Sequence, residues 1–257
     1  IDFFEPNLDK IFKRNKKKIK FINDLIDLKE CDLVFFSKDV PTNNKDKSLY
    51  DGIYKLIKKA IRHLNKKSNL IILSQVKPGF TDSIKWRRKK LYYQVETLIF
   101  GEAINRVLKP EQFIIGSSDN KINKSYLKFL KSYKSKINIM NYKSAELAKI
   151  SINLYLISSL SFTNSLAEAC EKIDADWSKI QPILKQDKRI GKYAYLNPGL
   201  GILSGNLQRD LQSYKKILSE NDCNLEIPKA WQKNSNYRKN WVNNLLNNEL
   251  KYFLKKK

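Results

Sequence analysis

Asn206 enters a helix directly behind a glycine-bearing loop, in NPGLGILSGNLQRDLQSYKK (197–216). Gly199, Gly201 and Gly205 let a backbone approach a ligand closely, and a helix start aims amide N–H groups at whatever lies beyond it. A reactive side chain belongs at that entrance. Asn206 is a poor nucleophile and a favoured N-cap, which is its bland role. Asp210 follows four residues later on the same face, with Arg209 beside it; as a solvated surface pair these two would mean nothing. A second pair, Lys149 and Asn153 in AELAKISINLY, is also four apart and therefore stacked on one helix face. An ammonium and an amide on an otherwise apolar helix cost free energy unless they meet polar partners or snorkel to a rim. Arg189, in DKRIG, has the planar fork that clamps a phosphate or carboxylate.

These residue types suit proton transfer and oxyanion stabilisation. The single histidine, His63, lies in the lysine-rich YKLIKKAIRHLNKK and reads as a surface residue. Cys31, Cys170 and Cys223 are far apart, with no CxxC or Cys/His ligand spacing, so neither zinc nor a disulfide framework is expected. Acid–base work falls to Lys, Asp or Glu, and a reducing cytoplasm fits the thiols.

The elements that must position them change character half-way. Short apolar runs at 31–39, 68–76, 111–118 and 137–142 read as buried strands, with helical patterns at about 47–66 and 125–135. Strands alternating with helices imply an α/β, mostly parallel sheet, whose ligands bind beyond the carboxyl ends of the strands. That puts SKDVPT (37–42) and SQVKPG (74–79) on the ligand side. From 145 to about 172 the pattern is one long helix, apolar nearly all round, as expected of a helix buried between domains or subunits. Further helices are expected at about 175–185, 207–220 and 229–254. No internal repeat is present.

The chain has 257 residues, 42% of them hydrophobic, and a net charge of +24. Its lysines are scattered among Asn, Ser and Ile, and the clusters KRNKKKIK (13–20) and KKK (255–257) lack interleaved aromatics. A lysine-decorated surface is expected rather than nucleic-acid binding. No apolar run reaches the roughly 18 residues of a membrane span. The opening IDFFEPNLDKIF has no basic-then-apolar layout, so no secretory leader is expected there. Its first residue is Ile, which suggests a start inside a longer protein.

Taken in order, the segments resemble the nucleotide-sugar 6-dehydrogenases, the UDP-glucose and GDP-mannose dehydrogenases. FFEPNLDKIF resembles their YEPGL segment, DLVFFSKDVPT their cofactor strand, LSQVKPGFTD their STVPPGTT, and YQVETLIFGEAINRVLKPEQFIIGSS their NPEFLREG region. AELAKISINLYLISSLSFTNSLAEACEKIDADWSKI, then DKRIG, NPGLG and RDL, resembles their central region. The likeness is collinear over about 2–245.

The resemblance implies an α/β fold: an incomplete Rossmann-like parallel sheet (1–143) lacking its first strand and GxGxxG loop, then an all-helical dimerisation domain with a long central helix (144–257). The family's C-terminal nucleotide-binding domain would be absent. It implies NAD as cofactor, a nucleotide sugar, most simply a UDP-sugar, as substrate, and a homodimer through helix 145–172. In the family a cysteine captures the C6 aldehyde and carries it through a thioester. Carried over by position, Glu96 handles protons or activates water, Lys149 stabilises oxyanions, Asn153 is its polar neighbour, and Asp210 lies one turn after the nucleophile. Arg189, Asn197, Gly199 and Gly201 would contact substrate; Asp39, Val40, Pro41, Gln75 and Arg209 would contact the cofactor. Asn206 occupies the cysteine position, Gln75 a threonine position, and Lys38, Asp39 and Val40 replace a VGT. Asn206 cannot form a thioester, so oxidation is expected to stop at the aldehyde. The alternatives are a non-catalytic nucleotide-sugar-binding or dimerisation scaffold and, from charge alone, a basic nucleic-acid binder.

Overall fold

The structure is a computed structural model and describes residues 4–43 and 48–255. Phe3 of the FFEP segment, the expected helix start at 47 and the end of the terminal KKK cluster lie outside the described residues. The chain divides into two compact units. One comprises residues 1–41 and 49–149; the other comprises 42–48 and 150–257.

The first unit is built on a five-stranded sheet in the order β1 (Leu33–Phe36), β2 (Asn69–Ile72), β3 (Leu91–Gln94), β4 (Gln112–Gly116), β5 (Lys136–Met140). β1, β2 and β3 run parallel, as do β4 and β5, but β3 and β4 are antiparallel. The sheet is therefore mixed, not uniformly parallel. The four apolar runs became β1, β2, β4 and β5. LYYQ, which became β3, is an addition to the expected set. Helices α1 (Leu8–Asn15), α2 (Asp51–Ile61), α3 (Ala103–Leu108) and α4 (Lys124–Lys131) complete this unit. Alternate side chains of β2 and β3 enter opposite cores. Leu70, Ile72, Leu91 and Tyr93 pack with Ile53, Ile57 and Phe80, whereas Ile71 and Tyr92 pack with Phe113, Tyr126 and Leu130. Burial on both faces explains why β2 is apolar throughout instead of alternating.

Helix α5 (Tyr142–Lys172) follows β5, and the boundary between the units falls within it. At 1.5 Å per residue it is roughly 46 Å long. The second unit adds α6 (Trp177–Gln186), α7 (Gly205–Glu220), α8 (Glu226–Lys239) and α9 (Trp241–Lys255). The single helix expected over 229–254 is thus two, broken at Asn240, whose N–H turns back to the carbonyls of Tyr237 and Arg238. The core of this unit joins Ile150, Leu154 and Ile157 of α5 to Ile202 and Leu211. Within the single chain α5 is covered on only part of its surface: Tyr155 is 67% exposed and Phe162 55%. Among the described residues no helix is long and apolar enough to cross a membrane, and no cluster of His, Cys, Asp and Glu could hold a metal.

Candidate active site

Glu96 follows β3 by two residues and is half-buried. It lines a cavity of about 180 Å³ whose walls include Phe35, Gln94, Arg106, Phe113 and Tyr133. Burial raises its carboxyl above the ordinary glutamate range; the Thr97 N–H and the charges of Lys149 and Arg106 act against that rise. The Thr97 N–H donates to Glu96 Oε1 at 3.1 Å, and Arg106 Nε donates to the Thr97 carbonyl at 2.8 Å. A carboxylate whose proton affinity burial has raised, with an ammonium in its field, is suited to accept and return a proton.

Lys149 reaches that field from α5, and the same helix carries a residue with no role in the sequence reading, Glu146. Its side chain is fully buried and accepts from the Gly79 N–H at 2.5 Å and the Thr81 N–H at 2.7 Å. Burial raises its carboxyl as well, against the lowering effect of those bonds. It ties the loop after β2 to the helix bearing Lys149. The only sequence signal was an acid three residues before Lys149 in an apolar helix.

The residues expected at the cofactor rim lie beyond the carboxyl ends of β1 and β2. Asp39 and Pro41 are exposed and Gln75 is half-buried. Val40 is 1% exposed and belongs to the core, with its N–H held by Asp39 Oδ1 at 2.9 Å. Ser74 Oγ donates to the Lys38 carbonyl at 2.5 Å and so joins the two loops.

In the second unit the α5 and α7 polar groups meet. Asn153 Nδ2 donates to Asp210 Oδ2 at 2.6 Å, and the two residues are 9% and 2% exposed. Asp210 and Arg209 are therefore not a solvated pair; both are buried. Asn206 is exposed, and its Oδ1 accepts from Arg209 Nη2 at 2.9 Å. The helix starts at Gly205 behind Ser204, so Asn206 stands in the first turn rather than at the N-cap. The preceding loop is fixed by the protein itself. The Gly199 N–H donates to Asn164 Oδ1 at 2.7 Å, and the Ile202 N–H to Ser235 Oγ at 2.8 Å. Gly201, at φ 83°, lies so close that a Cβ would sit 2.7 Å from the Ser235 carbonyl oxygen. Its freedom from a side chain serves packing against α8. Arg189 is not brought to these groups: its guanidinium closes on Asp187 through bonds of 3.0 and 2.6 Å, fully in solvent. Asn197 instead accepts from Gln181 at 2.7 Å.

The NAD binding domain of the UDP-glucose/GDP-mannose dehydrogenase family matches residues 1–134, and the central domain of that family matches residues 143–237. The chain belongs to the UDP-glucose/GDP-mannose dehydrogenase family. It is 28% identical over 243 residues to a UDP-glucose 6-dehydrogenase of Rickettsia bellii (strain RML369-C), a match covering 90% of this chain and 56% of that protein. It is 24% identical over 245 residues to the UDP-glucose 6-dehydrogenase YwqF of Bacillus subtilis (strain 168), covering 85% and 56%. It thus spans just over half the length of these curated relatives. The fold is that of a UDP-glucose dehydrogenase from the hyperthermophilic archaeon Pyrobaculum islandicum (TM-score 0.87, 21% identity, 96% of this chain and 61% of that one). A UDP-D-ManNAc dehydrogenase from Pyrococcus horikoshii superposes with a TM-score of 0.83 at 17% identity, over 98% and 62% of the chains.

NAD is the cofactor that the family's NAD binding domain implies. The rim fits it: β1 and β2 end side by side in parallel, and the polar residues Asp39 and Gln75 follow those ends in loops that Val40 and Ser74 anchor.

Proposed function

We propose that this polypeptide takes part in NAD-dependent oxidation of the C6 alcohol of a nucleotide sugar, most simply a UDP-sugar, and that the reaction stops at the aldehyde. The family match over both domains carries this reading. NAD, when bound, accepts the hydride from C6. Glu96, with its carboxyl raised by burial, takes the hydroxyl proton, directly or through water, and Lys149 steadies the developing alkoxide by its charge. Asn153 and Asp210 hold one another in place beneath Asn206. Asn206 presents an amide that forms no thiohemiacetal, so the second oxidation lacks its covalent carrier. Asp39, Pro41 and Gln75 would hold NAD. Arg209 would reach the cofactor as well, from a guanidinium that also bonds Asn206. Asn197 and Gly199 shape the substrate loop through their internal bonds, and Gly201 through its close approach to Ser235.

The stoichiometry of NADH formed per sugar consumed by the full-length protein tests this. We expect one NADH per sugar, with aldehyde accumulating, and two per sugar in Asn206→Cys. Two per sugar in the unaltered protein would overturn the assignment. The proposed partner is a second copy seated on α5, and the proposed location is the cytoplasm, which three free cysteines suit.

A further inference from the structure

The first unit has a second polar rim. β4 and β5 run against β3, so their carboxyl ends emerge where β3 begins, at the end of the sheet away from Glu96. There an open cavity of about 520 Å³ lies at the start of α5. Tyr142, Lys143 and Ser144 supply the first turn of that 31-residue helix, whose N–H groups lack intrahelical partners. Asn141 Oδ1 takes the N–H of Ser144 at 2.9 Å. Ser117 lines the same cavity and is 1% exposed, and its Oγ has no hydrogen-bond partner. A hydroxyl buried without a partner costs free energy that a bound acceptor would recover. Arg88 and Lys143 bring two positive charges; Asp82, which pairs with Arg88, brings the one negative charge. Tyr142 donates to the Leu91 carbonyl at 2.9 Å and, pushed up to about 12 chiefly by burial, stays neutral.

We propose that this rim binds a phosphate group. Orphaned hydroxyl, net positive lining and helix start all ask for a tetrahedral oxyanion, and the space exceeds that of a bare phosphate. The site stands apart from the dehydrogenase reading, and neither depends on the other.

Titrating the protein with inorganic phosphate and with ribose 5-phosphate, by calorimetry and amide shifts at about 0.15 M salt, tests this. Saturable binding is expected, with shifts at Ser117, Tyr142 and Lys143. Lys143→Ala and Arg88→Ala should each weaken it about tenfold. Ser117→Ala should weaken it several-fold without lowering the melting temperature, whereas Lys128→Ala, outside the cavity, should change nothing. Tighter binding of the sugar phosphate identifies a phosphorylated metabolite, and equal affinity identifies free phosphate; both support the proposal. No saturation below about 10 mM of either probe, or binding that Lys143→Ala and Ser117→Ala leave intact, overturns it.

Discussion

Glu96 and Asp210 show how little a carboxylate's letter says about its task. Glu96 binds its proton more readily folded than unfolded, because burial disfavours the charged form. Its protonated form therefore lends stability that is fully present below the ordinary glutamate range and is lost as pH rises through the raised value. Glu96→Gln lacks that loss. Urea unfolding should show the variant gaining on the parent protein as pH rises through this window, while NADH formation falls by about 10²-fold or more. The parent's activity should rise with pH on an acid limb set above the ordinary glutamate range. Asp210 depends instead on a neighbouring amide. Removing the amide that bonds it, in Asn153→Ala, should cost about 2 kcal/mol, read as a lowered urea midpoint with unchanged slope. The i, i+4 spacing of Asn206 and Asp210 was legible in the chain, but the bond Asn206 makes is to Arg209. The burial of Asp210 was not, because its partner lies 57 residues away and no local pattern announces it.

Apolar runs announce strands when both faces are covered, as β2 shows with all four residues buried. β3 was hidden because LYYQ follows WRRKK and carries two tyrosines, although Tyr92 and Tyr93 are only 2% and 0% exposed. The break between α8 and α9 was equally silent: NSNYRKN contains neither Gly nor Pro, and the turn at Asn240 comes from backbone bonds alone. β4 meets α5 more tightly than composition could suggest. A Cβ on Gly116 would stand 3.1 Å from both Ala145 Cβ and Tyr142 Cα. Gly116→Ala should therefore destabilise by about 1–3 kcal/mol, measured as a fall in melting temperature, because backbone rather than a flexible side-chain tip is in the way.

The two units draw their cores from different parts of the chain, and the central helix contributes to both: Tyr142 and Ala145 to one, Ile150 and Leu154 to the other. Its outward residues Ile152, Tyr155 and Phe162 recur at three and seven, the spacing of a helix–helix seam. We expect sedimentation to find a dimer, and Tyr155→Glu with Phe162→Glu to yield a folded monomer. A monomeric parent protein would remove this role from α5. The reversal between β3 and β4 reaches further. It gives one sheet two margins, and the β2–β3 connection reaches both, with Gln75 at one and Asp82 and Arg88 at the other and with Glu146 bonded to Gly79 and Thr81 between them. A change within that single connection is therefore felt at both margins, the SKDV and Gln75 segments at one and the Arg88 and Lys143 pair at the other.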